Sequence, residues 1–250
     1  STAIWDTKGS KVFQALQAPF LITNYGLAGT VEGGPIGTAM LQSPNGPSKF
    51  GLVGLGILEG GLRKPVSRSA PLKNPSDFKG KKIREPQSKV LSAATAALGA
   101  QPVALPVGEV FTALQSGTVD GVEANLGLLV ANKWNEVTKN VTQNVNLWPF
   151  PAAVVINKAQ FDKLTAEQKG WLETAGKSLS AASIKVFTNP APGATNFVQV
   201  LCDAGYTFAF ASDADIAALT KAVQPAYDQL SKDAEVAGLT FGPPIARFKG

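Results

Sequence analysis

The sequence predicts an α/β protein with a parallel sheet covered by helices. Three observations carry this. Strand and helix patterns alternate between residues 77 and 125, a capped helix of about 20 residues follows residue 165, and the composition is that of an ordinary folded chain. The 250 residues are 44% hydrophobic and 16% charged, enough for one large domain or two lobes. No run of 18 or more apolar residues occurs, so no segment reads as a membrane-spanning helix. The start, Ser1-Thr-Ala-Ile-Trp-Asp6, carries no basic segment followed by an apolar one, which fits a cytoplasmic or an already processed chain.

The elements follow in order. Residues 12–22 are apolar and interrupted by Pro19. Residues 26–47 hold turn signals at Gly33-Gly34-Pro35 and Pro44-Asn-Gly-Pro47 and read as turns. Leu52 to Leu58 is apolar and Gly-spaced, as in a tightly packed strand. Lys82-Ile-Arg-Glu85 is a strand stopped by Pro86. A helix from about Ser88 to Leu98 puts Leu91, Ala94, Thr95 and Leu98 on one face and ends at Gly99. Pro102 to Leu105 reads as a second strand, Gly108 to Gln115 as a short helix closed by Gly117, and Val119 to Glu123 as a third strand. Ala152 to Ile156 is a further strand. Thr165 and Gln168 form a capping box that opens the long helix, with Leu172, Ala175, Leu179, Ala182 and Val186 at helical spacing and a stop before Asn189-Pro190. A last helix begins near Ser212, aligns Ile216, Leu219, Val223 and Leu230, and should kink at Pro225.

Composition also excludes chemistry. There is no histidine, which removes Ser-His-Asp and Cys-His catalysis and histidine metal sites. The single cysteine, Cys202, allows neither an internal disulfide nor a thiolate metal site. The net charge of +5 is spread along the chain, with one tight cluster at Lys79–Arg84, and lacks the basic stripe of a nucleic-acid binder. It is compatible with an anionic ligand. Gly170 to Ser178 approximates a phosphate loop, yet five residues separate its glycines where four are needed, and it lies inside the long helix. Gly54-Leu-Gly56 lacks the third glycine of a dinucleotide site. No cofactor is expected.

Arg84 stands out by position. It lies at the carboxyl end of a strand, just before a helix N-terminus, where open α/β sheets bind ligands and where a two-pronged guanidinium suits a carboxylate. The alternative is an arginine paired with Glu85 or another local acid on a wet surface. Glu123 ends a strand at the same edge, so it lines the cleft or pairs with Arg84. Arg63, in a turn-rich stretch, is the weaker candidate. The tryptophans Trp5, Trp134, Trp148 and Trp171 are more often core residues than ligand platforms, and Trp148-Pro-Phe-Pro151 reads as a stiff segment crossing between lobes.

Asp77-Phe-Lys-Gly-Lys-Lys-Ile-Arg-Glu-Pro86, Leu98-Gly-Ala-Gln-Pro-Val103 and Glu109-Val-Phe-Thr-Ala-Leu-Gln-Ser-Gly-Thr-Val-Asp-Gly121 together resemble the solute-binding subunits of TRAP transporters, DctP type. Phe13–Leu21 and Val155–Leu164 are similar to the same family, in the same order. The resemblance implies a two-lobed fold like type II periplasmic binding proteins, with a long helix linking the lobes, assigned as residues 1–62 and 150–189 for one lobe and 63–149 and 190–250 for the other. It implies an exported, non-enzymatic protein that is periplasmic or otherwise extracytoplasmic. That protein captures a small organic acid and delivers it to the small and large TRAP membrane subunits, remaining peripheral to the membrane. Arg84 matches the family arginine that pairs with the ligand carboxylate, Arg63 an assisting arginine, and Gln87 a polar ligand contact. Trp5 falls where the first lobe reaches the cleft, Trp148 in the crossing segment. Many members carry Glu-Asn after Val-Asp-Gly; here Glu123 is followed by Ala124 and then Asn125. Pro106-Val-Gly108 stands where an aromatic often precedes the Glu-Val-Phe helix. Relative to the family, about a strand, a helix and a strand of the first lobe are missing before Ser1. A sensor that presents its ligand to a receptor has the same sequence signature, and a carboxylate-based enzyme is the more distant alternative.

Overall fold

A computed structural model describes residues 1–232; the portion of the second lobe assigned to 233–250 lies outside the described residues. In chain order the first elements are α1 (Tyr25–Glu32), α2 (Pro35–Gln42), β1 (Leu52–Glu59), β2 (Lys64–Ser67), α3 (Pro75–Phe78), β3 (Lys82–Glu85) and α4 (Lys89–Ala97). Next come β4 (Gln101–Ala104), α5 (Val110–Ser116), β5 (Gly121–Ala124), α6 (Leu126–Ala131) and β6 (Asn140–Thr142). The chain continues with β7 (Pro151–Asn157), α7 (Lys158–Asp162), α8 (Ala166–Thr188), α9 (Phe197–Asp203), β8 (Thr207–Ala209), α10 (Asp213–Ala222) and α11 (Gln224–Lys232).

The strands form a six-stranded sheet in the order β4-β3-β5-β2-β6-β8 and a two-stranded antiparallel sheet of β1 and β7. The expected alternation lies in the larger sheet, where β3 runs parallel to β4 and to β5. Ser88 caps α4 by accepting the Leu91 N–H, and Gly99 ends it at φ +91°. Val90, Leu91, Ala94 and Thr95 are buried. Val66, Val122 and Val141 pack under Val110, Leu114, Leu129 and Trp134 on one face of the sheet. Ile83, Leu91, Leu98, Trp148 and Leu219 form a core on the other. A third cluster, including Phe13, Leu16, Val31, Met40 and Ile57, packs against the two-stranded sheet.

Several elements depart from the sequence expectation. Residues read as turns between 26 and 47 form α1 and α2. Asn24 caps the first, accepting the Leu27 N–H at 2.9 Å, and Pro35 opens the second, where its missing N–H costs nothing. A Cβ at Gly34 or Gly37 would collide with backbone carbonyls of α1, so these glycines serve the close join of two helices. β2, β6 and β8 are too short to show a period-2 pattern. The long helix forms as expected, capping box included, but is rotated. Gly176 and Ser180 are its buried residues, whereas Ala175, Ala182 and Val186 are exposed. The reason is a backbone contact: a Cβ on Gly176 would strike the Leu55 carbonyl, so the glycine face, rather than the most apolar face, lies on β1. The last helix ends at Ala222 and restarts at Gln224, a break just ahead of Pro225, whose ring and missing N–H cannot continue the preceding turn.

Two segments run side by side between the sheets. Residues 60–63 lead from β1 to β2, and residues 148–150 lead toward β7. Gly60 N–H donates to Phe150 O (3.1 Å), Arg63 N–H to Trp148 O (2.8 Å) and Leu147 N–H to Arg63 O (2.8 Å). Glu59 stitches them further, its Oε1 accepting from Gly61 N–H (2.6 Å) and Phe150 N–H (3.1 Å).

Candidate functional site

The site grows from the order β3-β5-β2. β5 is central, and it presents Glu123 between Arg84 on β3 and Arg63 at the entry to β2. The antiparallel register pairs Lys64 with Ala124 and Pro65 with Glu123, which brings Arg63 beside a strand that follows it by 60 residues in sequence. Arg84 Nη1 lies 3.8 Å from Glu123 Oε1, and Arg63 Nε lies 3.4 Å from Glu123 Oε2. All three side chains are at most 5% exposed. The acid partner of Arg84 is therefore a buried one. Glu85 turns away, accepting hydrogen bonds from Ser92 Oγ and Thr95 Oγ1, and burial lifts its pKa to about 7.

Burial disfavours every charge in this trio. It raises the Glu123 pKa, which both arginines pull back down, and it lowers both arginine pKa values, which Glu123 pushes back up. The guanidiniums stay charged. Each also faces an aromatic ring: Arg63 lies 3.8 Å from the centre of Phe150 and Arg84 5.7 Å from that of Trp134. Arg84 spends one edge of its fork on the Leu105 carbonyl, from Nε (3.1 Å) and Nη2 (2.7 Å). Arg63 Nη1, by contrast, has no hydrogen-bond partner in the protein.

These groups open onto a cavity of about 510 Å³, within the range of roughly 300–1,000 Å³ typical of small-molecule sites. Arg63, Arg84, Gln87 and Glu123 line it together, with Gln87 exposed at the rim. Three other candidate residues lie outside its lining. Asn125 caps α6 by accepting the Leu128 N–H (2.7 Å) and donates to Gly60 O (2.6 Å), which ties β5 to the crossing. Trp5 packs edge-on between Phe13 and Phe50, while its neighbours Ala3 and Ile4 reach the cavity. Trp148 is fully buried in the core beneath the larger sheet. Its indole N–H is near enough to Glu123 to favour the carboxylate, without a hydrogen bond of regular geometry.

The helix N-terminus beside Arg84 is already occupied. Asp6 Oδ2 accepts from Lys89 N–H (2.8 Å) and Ser88 Oγ (3.1 Å), so the positive end of α4 holds a protein carboxylate. Phe150, Trp134 and Leu105 line the cavity and were not among the expected ligand contacts. Only a hydrophobic pattern marks them in the sequence, and core residues share that pattern.

A family profile described as bacterial extracellular solute-binding protein, family 7 (DctP), matches residues 1–233. The chain belongs to that family. A solute-binding protein of Verminephrobacter eiseniae is 34% identical over 179 residues, covering 71% of this chain and 52% of that protein. The C4-dicarboxylate-binding periplasmic protein DctP of Rhodobacter capsulatus is 35% identical over 175 residues, covering 70% and 51%. This member of the family thus spans about half the length of those curated relatives. Among solved structures, a TRAP periplasmic solute-binding protein from Polaromonas sp. JS666 bound to D-erythronate superposes with a TM-score of 0.83 at 28% identity, covering 99% of this chain and 77% of the other. The family fold, a two-lobed α/β periplasmic binding protein, is the fold of this chain. Among the described residues no helix is long and apolar enough to cross a membrane.

Proposed function

We propose that the chain is part of an extracytoplasmic solute-binding protein that captures a small organic carboxylate for a TRAP-type secondary transporter and catalyses no reaction. One observation carries this reading: two buried arginines share a single carboxylate, Glu123, at the wall of a cavity, and Arg63 Nη1 has no partner there. A ligand carboxylate supplies that partner. Arg63 and Arg84 anchor it, and Gln87 contacts it from the rim. Glu123 holds the two guanidiniums together against their mutual repulsion. Asn125, Trp5 and Trp148 shape the site from behind, through the crossing and the cores.

The lobes in this reading are residues 1–62 with 150–189, and residues 63–149 with the chain from 190 onward. The crossings at residues 60–63 and 148–150 serve as the hinge, and closure buries the ligand charge and strengthens each contact. Similarity to a D-erythronate-bound relative and to a C4-dicarboxylate-binding relative supports a carboxylate ligand. The partners are the small and large membrane subunits, met at the outer face of the cytoplasmic membrane.

Thermal unfolding of the chain against a panel of organic acids tests this. A bound acid at 100 times its dissociation constant stabilises by about 2.7 kcal/mol. Arg63→Lys and Arg84→Lys should each abolish most of that shift, because an ammonium cannot keep the two-pronged geometry. Equal shifts in the wild type and both lysine variants would sink the anchoring role.

A further inference from the structure

The wall of the cavity narrows the class of acid. Its lining side chains carry two positive charges and one negative. No other cationic side chain among the described residues lines the cavity. One ligand carboxylate therefore completes the local balance. A second would be taken out of water with no counter-charge to meet it. Hydroxyls fare little better. Apolar residues, among them Ile4, Leu105, Val107, Leu128, Trp134 and Phe150, make up most of the wall, and the Leu105 carbonyl is already taken by Arg84. A polyhydroxy body would leave its hydroxyls facing carbon, while an apolar body would displace water from it.

We propose that the cavity selects a monocarboxylate with a branched-aliphatic or aromatic body over dicarboxylates and polyhydroxy acids. This rests on the carboxylate-capture reading and adds the ligand class to it. Phe150 and Trp134 each stack one region of the wall against an arginine, so the anchor and the apolar surface are contiguous. A short acid reaches both at once. The preference differs from what the named relatives hold, D-erythronate and C4-dicarboxylates.

Isothermal titration of the chain with phenylacetate and 4-methylpentanoate tests it, beside succinate, D-erythronate and the uncharged phenylacetamide. The better of the two apolar acids should bind at least tenfold tighter than succinate and D-erythronate, and phenylacetamide at least tenfold weaker than phenylacetate. Leu128→Asn, which places an amide on the wall, should weaken the apolar acids several-fold and narrow their margin over D-erythronate. A margin below tenfold, or a reversed one, overturns the ligand class and leaves carboxylate capture standing. An unchanged margin in Leu128→Asn overturns the role given to this wall. If phenylacetamide matches phenylacetate, or if none of the four anions binds, carboxylate capture itself fails and the ligand class falls with it.

Discussion

Two cavities of similar size differ in how they treat buried charge. The first, about 510 Å³, is walled by Arg63, Arg84 and Glu123. The second, about 460 Å³, lies over β1 between α2 and α8, and Glu32 is its buried titratable group. Glu123 and Glu32 are equally hidden, at 2% and 3% exposure. Glu123 has two arginines. Glu32 has Glu59, and neither of its oxygens receives a hydrogen bond from another group. Burial and the neighbouring Glu59 push the Glu32 pKa up to about 10, so it keeps its proton at neutral pH and can donate to Glu59. Desolvation acts the same way at both sites, but the partners differ: two arginines offset it at Glu123, and Glu59 adds to it at Glu32. An anion entering the first cavity meets buried guanidiniums, whereas in the second the buried group is a neutral acid and the cations, Lys158 and Lys177, are exposed to water. The first is the better suited to hold a carboxylate away from water.

The arginines offer the hardest test of that contrast. Removing one partner from a buried ion cluster costs about 3–5 kcal/mol, because the remaining charge is left stranded. Arg84→Ala and Arg63→Ala should each lower unfolding free energy in urea by that order. Combining either with Glu123→Ala should cost less than the two single changes added together, as expected for groups that act as a unit. Full additivity would break the picture of a shared carboxylate.

A smaller effect is expected where α8 meets β1. Gly176→Ala forces a methyl against the Leu55 carbonyl and should destabilise by about 1–3 kcal/mol. Gly170→Ala on the same helix meets nothing within 4 Å and should be neutral or slightly stabilising. Equal effects at both glycines would contradict the rotated face.

The mildest test addresses Glu32. Folding raises its pKa above the ordinary 4.5, so the folded chain holds a proton there that the unfolded chain has lost. Its favourable contribution is complete below about pH 4.5 and is lost as pH rises toward the folded pKa. Glu32→Gln cannot ionise, so it should gain on the wild type with rising pH, by no more than about 1.4 kcal/mol per pH unit. The two should converge below pH 4.5. Denaturation midpoints between pH 4 and 9 check this; parallel profiles would mean that Glu32 has an ordinary pKa.

Much of the larger sheet was legible in the sequence. β3, α4, β4, α5 and β5 fall within a residue or two of their expected limits, because each is bounded by Pro86, Ser88, Gly99 or Gly117, whose backbone chemistry is local. α1 and α2 were not legible. Their glycines oppose helix formation locally, and only the contact between the two helices offsets that. At the site, Arg84 was marked by its place at a strand end. Arg63 looked like a solvated turn residue, and its burial follows from β2, a four-residue strand inserted antiparallel beside β5.

The sequence by itself determined the absence of histidine and thiolate chemistry, the strand–helix alternation, the helix caps and the family to which the chain is similar. These depend on residue identity and on neighbours a few positions away. Tertiary structure decided which charges share a pocket. Residues 63, 84 and 123 meet only because β5 lies between β3 and β2. It also decided that Asp6 fills the helix N-terminus beside Arg84, and that one buried glutamate lies between two arginines while another faces a second glutamate. Electrostatic energies depend on distance and on access to water, and neither is local in the chain.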